Sequence, residues 1–180
     1  MVYVYLADGF EEIEALTVID LLRRAEIPVK SVSIDNLNVK GAHNISVQAD
    51  ILIDDANYKD CEMIVLPGGM PGSINLENCE NISKVIDEFN QAKKYIAAIC
   101  AAPMILGHKG LLYGKKAVIY DGMEDDLGNG AIPLQEKAVI DGHIITGKGP
   151  GCAIEFALKI ISVLKGEDSS KMIKAELLYD

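Results

Sequence analysis

Cysteine becomes a strong nucleophile once its proton is lost, and Cys100 stands where an apolar run changes period. Tyr95, Ile96 and Ile99 precede it, as in a short strand buried on both faces. Ala101, Ala102, Pro103, Met104, Ile105 and Leu106 follow, mostly helix formers, with a proline where a first turn tolerates a missing donor. The pattern predicts a strand-to-helix elbow with Cys100 at its apex, where the free N–H groups of the following helix favour a thiolate. A second reading stays open at this point, since free cysteines are often buried structural residues.

Glu14 is a carboxylate in an unusual place. Helical steps from it reach Val18, Leu21 and Ala25, which puts a carboxylate at the start of an apolar stripe. If buried, it needs a partner or a proton, and its pKa is expected to rise; if it lies at the helix end, water still reaches it. Pro67-Gly68-Gly69-Met70-Pro71-Gly72 forms a tight loop after an apolar strand. It lacks the Gly-Lys-Ser/Thr ending of a phosphate loop and the spacing of a dinucleotide fingerprint. It is either a plain turn or, through the N–H groups of Gly68 and Gly69, part of an oxyanion hole.

The elements that must position these residues follow from periodicity. Strands are predicted over 2–7, 28–34, 45–53, 62–66, 95–99 and 117–120, and Asp141-Gly142 signals a hairpin between 138–140 and 144–146. Helices are predicted over 11–25, 77–90, from the elbow to about His108, over 152–164, and in a short closing segment. Alternating strands and helices imply an α/β fold with a mostly parallel, doubly wound sheet in one domain over residues 1–180. The turns after Leu66, Ile99 and Thr146 fall at strand ends, where such sheets hold their ligands, so Gly149 and Pro150 are also candidate site-lining residues.

Composition narrows the function. The formal charge of -10 over 180 residues disfavours nucleic acid or an anionic membrane as partner. Cys61, Cys79, Cys100 and Cys152 lack C-x-x-C spacing, which suggests reduced thiols and no zinc site. His43, His108 and His143 read as surface groups, none spaced to share a metal with another, so no metal is expected. No basic region precedes the first apolar run and no run reaches spanning length, so a cytoplasmic location is expected.

Four ordered segments resemble the ThiJ/PfpI family, and most closely its deglycase and YajL-like branch. They are Ala-Asp-Gly-Phe-Glu-Glu-Ile-Glu at 7–14, Leu-Pro-Gly-Gly at 66–69, Ala-Ala-Ile-Cys-Ala-Ala-Pro at 97–103, and Gly149-Pro150-Gly151 with Glu155-Phe156-Ala157-Leu158 downstream. The resemblance implies a flavodoxin-like three-layer sandwich of the class I glutamine amidotransferase type, usually a homodimer. It makes Cys100 the nucleophile, Glu14 its hydrogen-bonding carboxyl, and the N–H groups of Gly69 and Ala101 a cradle for an oxyanion or an oxidised sulfur. An ionised Glu14 would oppose a thiolate, so the role requires Glu14 to be largely protonated.

Two departures from the family pattern stand out. Tyr120 occupies a position that resembles that of a histidine in many relatives, and tyrosine is a poor base near neutrality. Ala101 follows the cysteine where the proteolytic branch has histidine, which disfavours peptidase activity. The resemblance thus implies a cofactor-free glyoxalase or deglycase acting on 2-oxoaldehydes such as methylglyoxal, or on early glycated groups. A redox-responsive protein or chaperone with an oxidisable Cys100 would need the same thiol.

Overall fold

The computed structural model describes residues 1–179. β-Branched and aromatic runs form β1 (Val2–Leu6), β2 (Val29–Ser33), β6 (Met63–Leu66) and β7 (Tyr95–Ile99). Between them lie a small hairpin of β3 (Asn38–Lys40) and β4 (Ser46–Gln48), and a short edge strand, β5 (Ile51–Leu52). Later come β8 (Lys116–Ala117), β9 (Ile132–Pro133), β10 (Ala138–Asp141) and β11 (Ile144–Gly147). The helices are α1 (Glu12–Arg24), α2 (Gly72–Glu77), α3 (Glu80–Gln91), α4 (Pro103–His108), α5 (Ala153–Lys165) and α6 (Glu167–Glu176).

Seven strands make one sheet in the order β10-β11-β7-β6-β1-β2-β5. All pairings in it are parallel except the β10–β11 hairpin at the edge. Strand alternation divides the core in two. Val2, Val4 and Leu6 of β1 and Ala97 and Ile99 of β7 face the layer of α1, α5 and α6. Tyr3, Tyr5, Ile96 and Ala98 face the layer of α3 and α4. A strand buried on both faces must be apolar at every position, which is why these runs show no polar alternation.

Register brings the three turns together. Leu66 pairs with Ala98 and Gly147 with Ile99, so β6, β7 and β11 end at one level of the sheet. The loops after them form a single edge, with the start of α1 beside it.

Three expectations are corrected. The segment 117–120 does not join the main sheet: only Ala117 lies in a strand, in a separate two-stranded pairing of β8 with β9. Its later donors turn elsewhere, Val118 N–H to Thr146 Oγ1 at 2.9 Å and Tyr120 N–H to the Cys100 carbonyl at 2.9 Å. The run 45–53 splits into β4 and β5, which belong to different sheets. The helix expected over 77–90 starts at Glu80, and the separate short helix α2 precedes it.

Candidate active site

β7 ends at Ile99 and α4 starts at Pro103, so Cys100 sits on a bend too tight for ordinary backbone. Its φ is +63°, in the left-handed region that a residue with a Cβ seldom adopts. Two backbone bonds hold it there: Cys100 N–H donates to the Gly147 carbonyl at 2.9 Å, and the Cys100 carbonyl accepts from Tyr120 N–H. The side chain is thereby turned off the sheet end, and the residue is 9% exposed. This is the elbow that the change of period predicts.

Glu14, in the first turn of α1, is 0% exposed, so the reading in which water still reaches it is excluded. Its Oε2 accepts the Gly68 N–H at 2.8 Å, while its Oε1 is buried with no hydrogen-bond partner among the described residues. Gly68 fits because it has no side chain: a Cβ there would lie 2.6 Å from Cys100 Cβ and 2.8 Å from Glu14 Oε2. Burial pushes the Glu14 carboxyl up to about 7, although the Cys100 thiol and the Gly68 N–H draw it the other way.

The thiol departs from expectation. Burial first, and then the charge of Glu14, hold the Cys100 thiol above its ordinary value, while the N–H groups of Ala101 and Gly69 oppose them. α4 has only six residues, and its dipole does not offset desolvation. Burial and an ionised Glu14 both act against a thiolate at Cys100. The two groups lie close enough for each to shift the other's titration, the ionised carboxyl opposing the thiolate.

The cradle is smaller than the sequence reading made it. Gly68 does not contribute, because its N–H is already given to Glu14. Gly69 and Ala101 N–H have no backbone acceptor among the described residues and both act on the sulfur. Gly69 has φ +91°, and a Cβ on it would lie 2.4 Å from the Glu11 nitrogen, so glycine is required there.

Tyr120, bonded through its backbone to the elbow, is 49% exposed. Its ring lies over Gly149, where a Cβ would come within 3.3 Å of it. Tyr120, Gly149 and Pro150 thus follow the elbow and the end of β11. Burial, and then the charge of Glu155, hold the Cys152 thiol above its ordinary value. Cys61 is buried, and desolvation pushes its thiol up to about 11.

His43 is exposed, as expected of a surface group, but the sequence did not signal its partners. The ring Nδ1 lies 2.9 Å from Glu12 Oε2 and 3.7 Å from Glu11 Oε2, so an apparent surface histidine is grouped with two carboxylates beside the site. The ligand-capable atoms of these three residues all lie within 4.8 Å of one another. His108 pairs with Glu77 at 2.6 Å and His143 with Asn90 at 2.8 Å, both away from the elbow. Thirty-one residues separate Glu12 from His43, and no local pattern signals their contact.

The model of the DJ-1/PfpI family matches residues 1–163. Protein DJ-1 homolog B of Arabidopsis thaliana is 35% identical over 98% of this chain, which spans 41% of that relative's length. The glutathione-independent glyoxalase DJR-1.2 of Caenorhabditis elegans is 31% identical over 91% of this chain and 87% of its own. The structure of oxidized Toxoplasma gondii DJ-1 superposes with a TM-score of 0.93 at 38% identity, covering 99% of this chain and 97% of that one.

Proposed function

The chain belongs to the DJ-1/PfpI family, and from that membership we propose that it is a cysteine-dependent, cofactor-free enzyme of the glyoxalase or deglycase type. The observation that carries the reading is Glu14 Oε1, a buried carboxyl oxygen with no nitrogen or oxygen partner among the described residues, on a group that burial moves to about 7 beside the Cys100 thiol. A carboxyl so placed can take up and release protons in water-poor surroundings at physiological pH.

For methylglyoxal the steps are as follows. The sulfur of Cys100 bonds to the aldehyde carbon as the thiol proton passes to Glu14. The carbonyl π pair becomes an alkoxide facing the N–H groups of Gly69 and Ala101. Glu14 returns the proton to that oxygen, giving a hemithioacetal. The regenerated carboxylate removes the hydrogen of the same carbon to give an enediolate; the hydroxyl proton on that carbon passes to the neighbouring oxygen, and Glu14 delivers the abstracted proton to the neighbouring carbon to leave a thioester. Water cleaves the thioester to lactate and the free thiol, so the sum is methylglyoxal plus water to lactate, with no oxidant and no added thiol. Early glycated amines present a related carbonyl to the same groups.

Glu14 takes up and returns a proton in the addition step and again in the carbon-to-carbon transfer, and Tyr120 lines the approach without acting as base. Within this reading the protein is a cytoplasmic homodimer whose partner is a small carbonyl substrate. Among the described residues no helix is long and apolar enough to cross a membrane.

Lactate formation from methylglyoxal by the reduced protein without glutathione, compared with Cys100→Ser, is the decisive experiment. Turnover lost with the cysteine supports the reading. A protein that makes no lactate while its Cys100 consumes peroxide rapidly would instead be redox-responsive. One feature favours that second reading: the same two N–H groups face the sulfur and would hold a sulfinate oxygen as well as an alkoxide.

A further inference from the structure

A second cavity opens on the same edge of the sheet as the elbow. β1 ends at Leu6 and β2 at Ser33, and the residues that follow them, with Asn75, Asn78 and Cys79 around the end of α2, enclose about 390 Å3. Open α/β sheets hold ligands at the carboxyl ends of their strands, near the point where the strand order reverses. That point lies here between β1 and β6, with the elbow on the β6 side and this cavity on the β2 side. Cys100, Glu14, Gly69 and Ala101 do not line it, so it is separate from the reaction centre.

Its floor is apolar apart from one hydroxyl. Ala7 and Val39 are buried, Ile34 is half-buried, and Ser33 is 1% exposed. Ser33 Oγ accepts the Asp35 N–H at 3.3 Å, and its own hydrogen meets no acceptor among the described residues. Three rim side chains are each engaged through one atom and leave another free. Asp8 Oδ1 accepts the Lys40 N–H at 2.9 Å, Asp35 Oδ2 accepts from Asn36 Nδ2 at 2.9 Å, and Asn75 Nδ2 donates to the Asp8 carbonyl at 2.8 Å. Asp8 Oδ2, Asp35 Oδ1, Asn75 Oδ1 and the whole Asn78 amide have no hydrogen-bond partner among the described residues.

We infer that this cavity binds the polyhydroxyl chain of a sugar or sugar alcohol. A hydroxyl both donates and accepts, and the free atoms here are two carboxylate oxygens, carboxamide groups and a serine hydrogen, which together need partners of both kinds. The C–H face of such a chain would lie on Ala7, Ile34 and Val39. Water fills polar cavities, and a row of hydroxyls reproduces its hydrogen bonds while adding that apolar contact. Charge disfavours the main alternatives. Asp8 and Asp35 are the charged lining residues, with no Lys, Arg or His, so a phosphate or carboxylate is repelled. A diamine would satisfy the two carboxylates but leave the Asn75 oxygen and the Asn78 amide without full use of their donors and acceptors.

Ribitol tests the inference without turnover, because it carries no carbonyl for Cys100 to attack. Cys79, a half-buried thiol in the cavity wall, is the reporter. In full-length Cys100→Ser protein, millimolar ribitol is expected to slow alkylation of Cys79 by iodoacetamide, while Cys152, outside the cavity, reacts at its usual rate. In wild-type protein the side-chain amide NMR signals of Asn75 and Asn78 should shift with the same midpoint. Asp35→Ala and Asn78→Ala should each weaken binding by about threefold to tenfold, the loss of one hydrogen bond. Fructosyl-glycine separates a free chain from one carried on a glycated amine: equal midpoints for the two ligands assign the free sugar or sugar alcohol, and a tighter midpoint for fructosyl-glycine assigns the glycated amine. No protection and no shift up to about 100 mM ribitol overturn the inference. So does equal protection by putrescine or inorganic phosphate, or binding that both variants leave unchanged. Each result stands whether or not the protein makes lactate.

Discussion

Gly68 donates its N–H to Glu14 Oε2 at 2.8 Å while leaving no space between that carboxyl and the side chain of Cys100. The backbone of one residue thereby fixes the acid, and its missing side chain allows the acid and the thiol to act as a pair. The same N–H, committed to Glu14, is unavailable to an oxyanion.

Gly68→Ala should therefore damage the pair more than the fold. The added methyl would meet Cys100 Cβ at 2.6 Å and Glu14 Oε2 at 2.8 Å, and one of them must move. Overpacking of this kind costs about 1–3 kcal/mol. Urea unfolding should show that loss, with the alkylation rate of Cys100 by iodoacetamide changed about tenfold or more. A variant with wild-type stability and wild-type alkylation would mean that the glycine is not a spacer.

Glu14 also makes stability depend on pH in a direction unusual for a carboxylate. Burial raises it from 4.5 to about 7, so between these values the folded state binds more protons than the unfolded one. Stability from this group is complete below pH 4.5 and is lost as pH rises through about 7. The shift corresponds to roughly 3 kcal/mol. Chemical denaturation of Glu14→Gln at pH 5 and pH 8 should show a smaller difference between the two than wild type. Parallel profiles would show that Glu14 titrates normally.

The elbow was legible in the sequence because it is a local pattern, a change from strand to helix at Cys100; the stripe running on from Glu14 marked that carboxylate as unusual, but only the four family-like segments together made it the partner of the thiol. The shared level of the turns after Leu66, Ile99 and Thr146 followed from parallel topology alone. The role of Gly68 was not legible, since a backbone N–H carries no sequence signature. Neither was the clamp of His43 on Glu12, which joins separate elements. Val118-Ile119-Tyr120 misled for a different reason. Its β-branched residues suit extended backbone, but its donors go to Thr146 and Cys100 instead of a neighbouring strand. The acidity of Cys100 was misjudged because a helix N-terminus was given more weight than burial beside a carboxylate.

Backbone strain at the elbow can be weighed directly. Cys100 has φ +63°, a conformation that costs a residue with a Cβ about 1–2 kcal/mol and costs glycine little. Cys100→Ala keeps the strain and Cys100→Gly relieves it, and both remove the thiol. Glycine also brings a larger backbone entropy loss, so its variant should be the more stable of the two by about 1 kcal/mol in urea unfolding. If the alanine variant is equally or more stable, the bend carries no strain that a side chain feels.

A second copy of the chain is the expected cover for the outer side of α1. Ile13 and Leu16, three residues apart on that helix, are 56% and 37% exposed, and Ile45 at the hairpin tip is 54% exposed. Ile45 N–H bonds to Glu12, which brings the tip beside the same helix. Burying an isoleucine is worth about 1.5–3 kcal/mol. In a two-fold interface each substitution acts twice. Ile13→Glu should therefore weaken a homodimer at least about a hundredfold, and sedimentation at micromolar concentration should show monomer where wild type shows dimer. Wild-type protein that sediments as monomer at all concentrations would remove the dimer from the proposal.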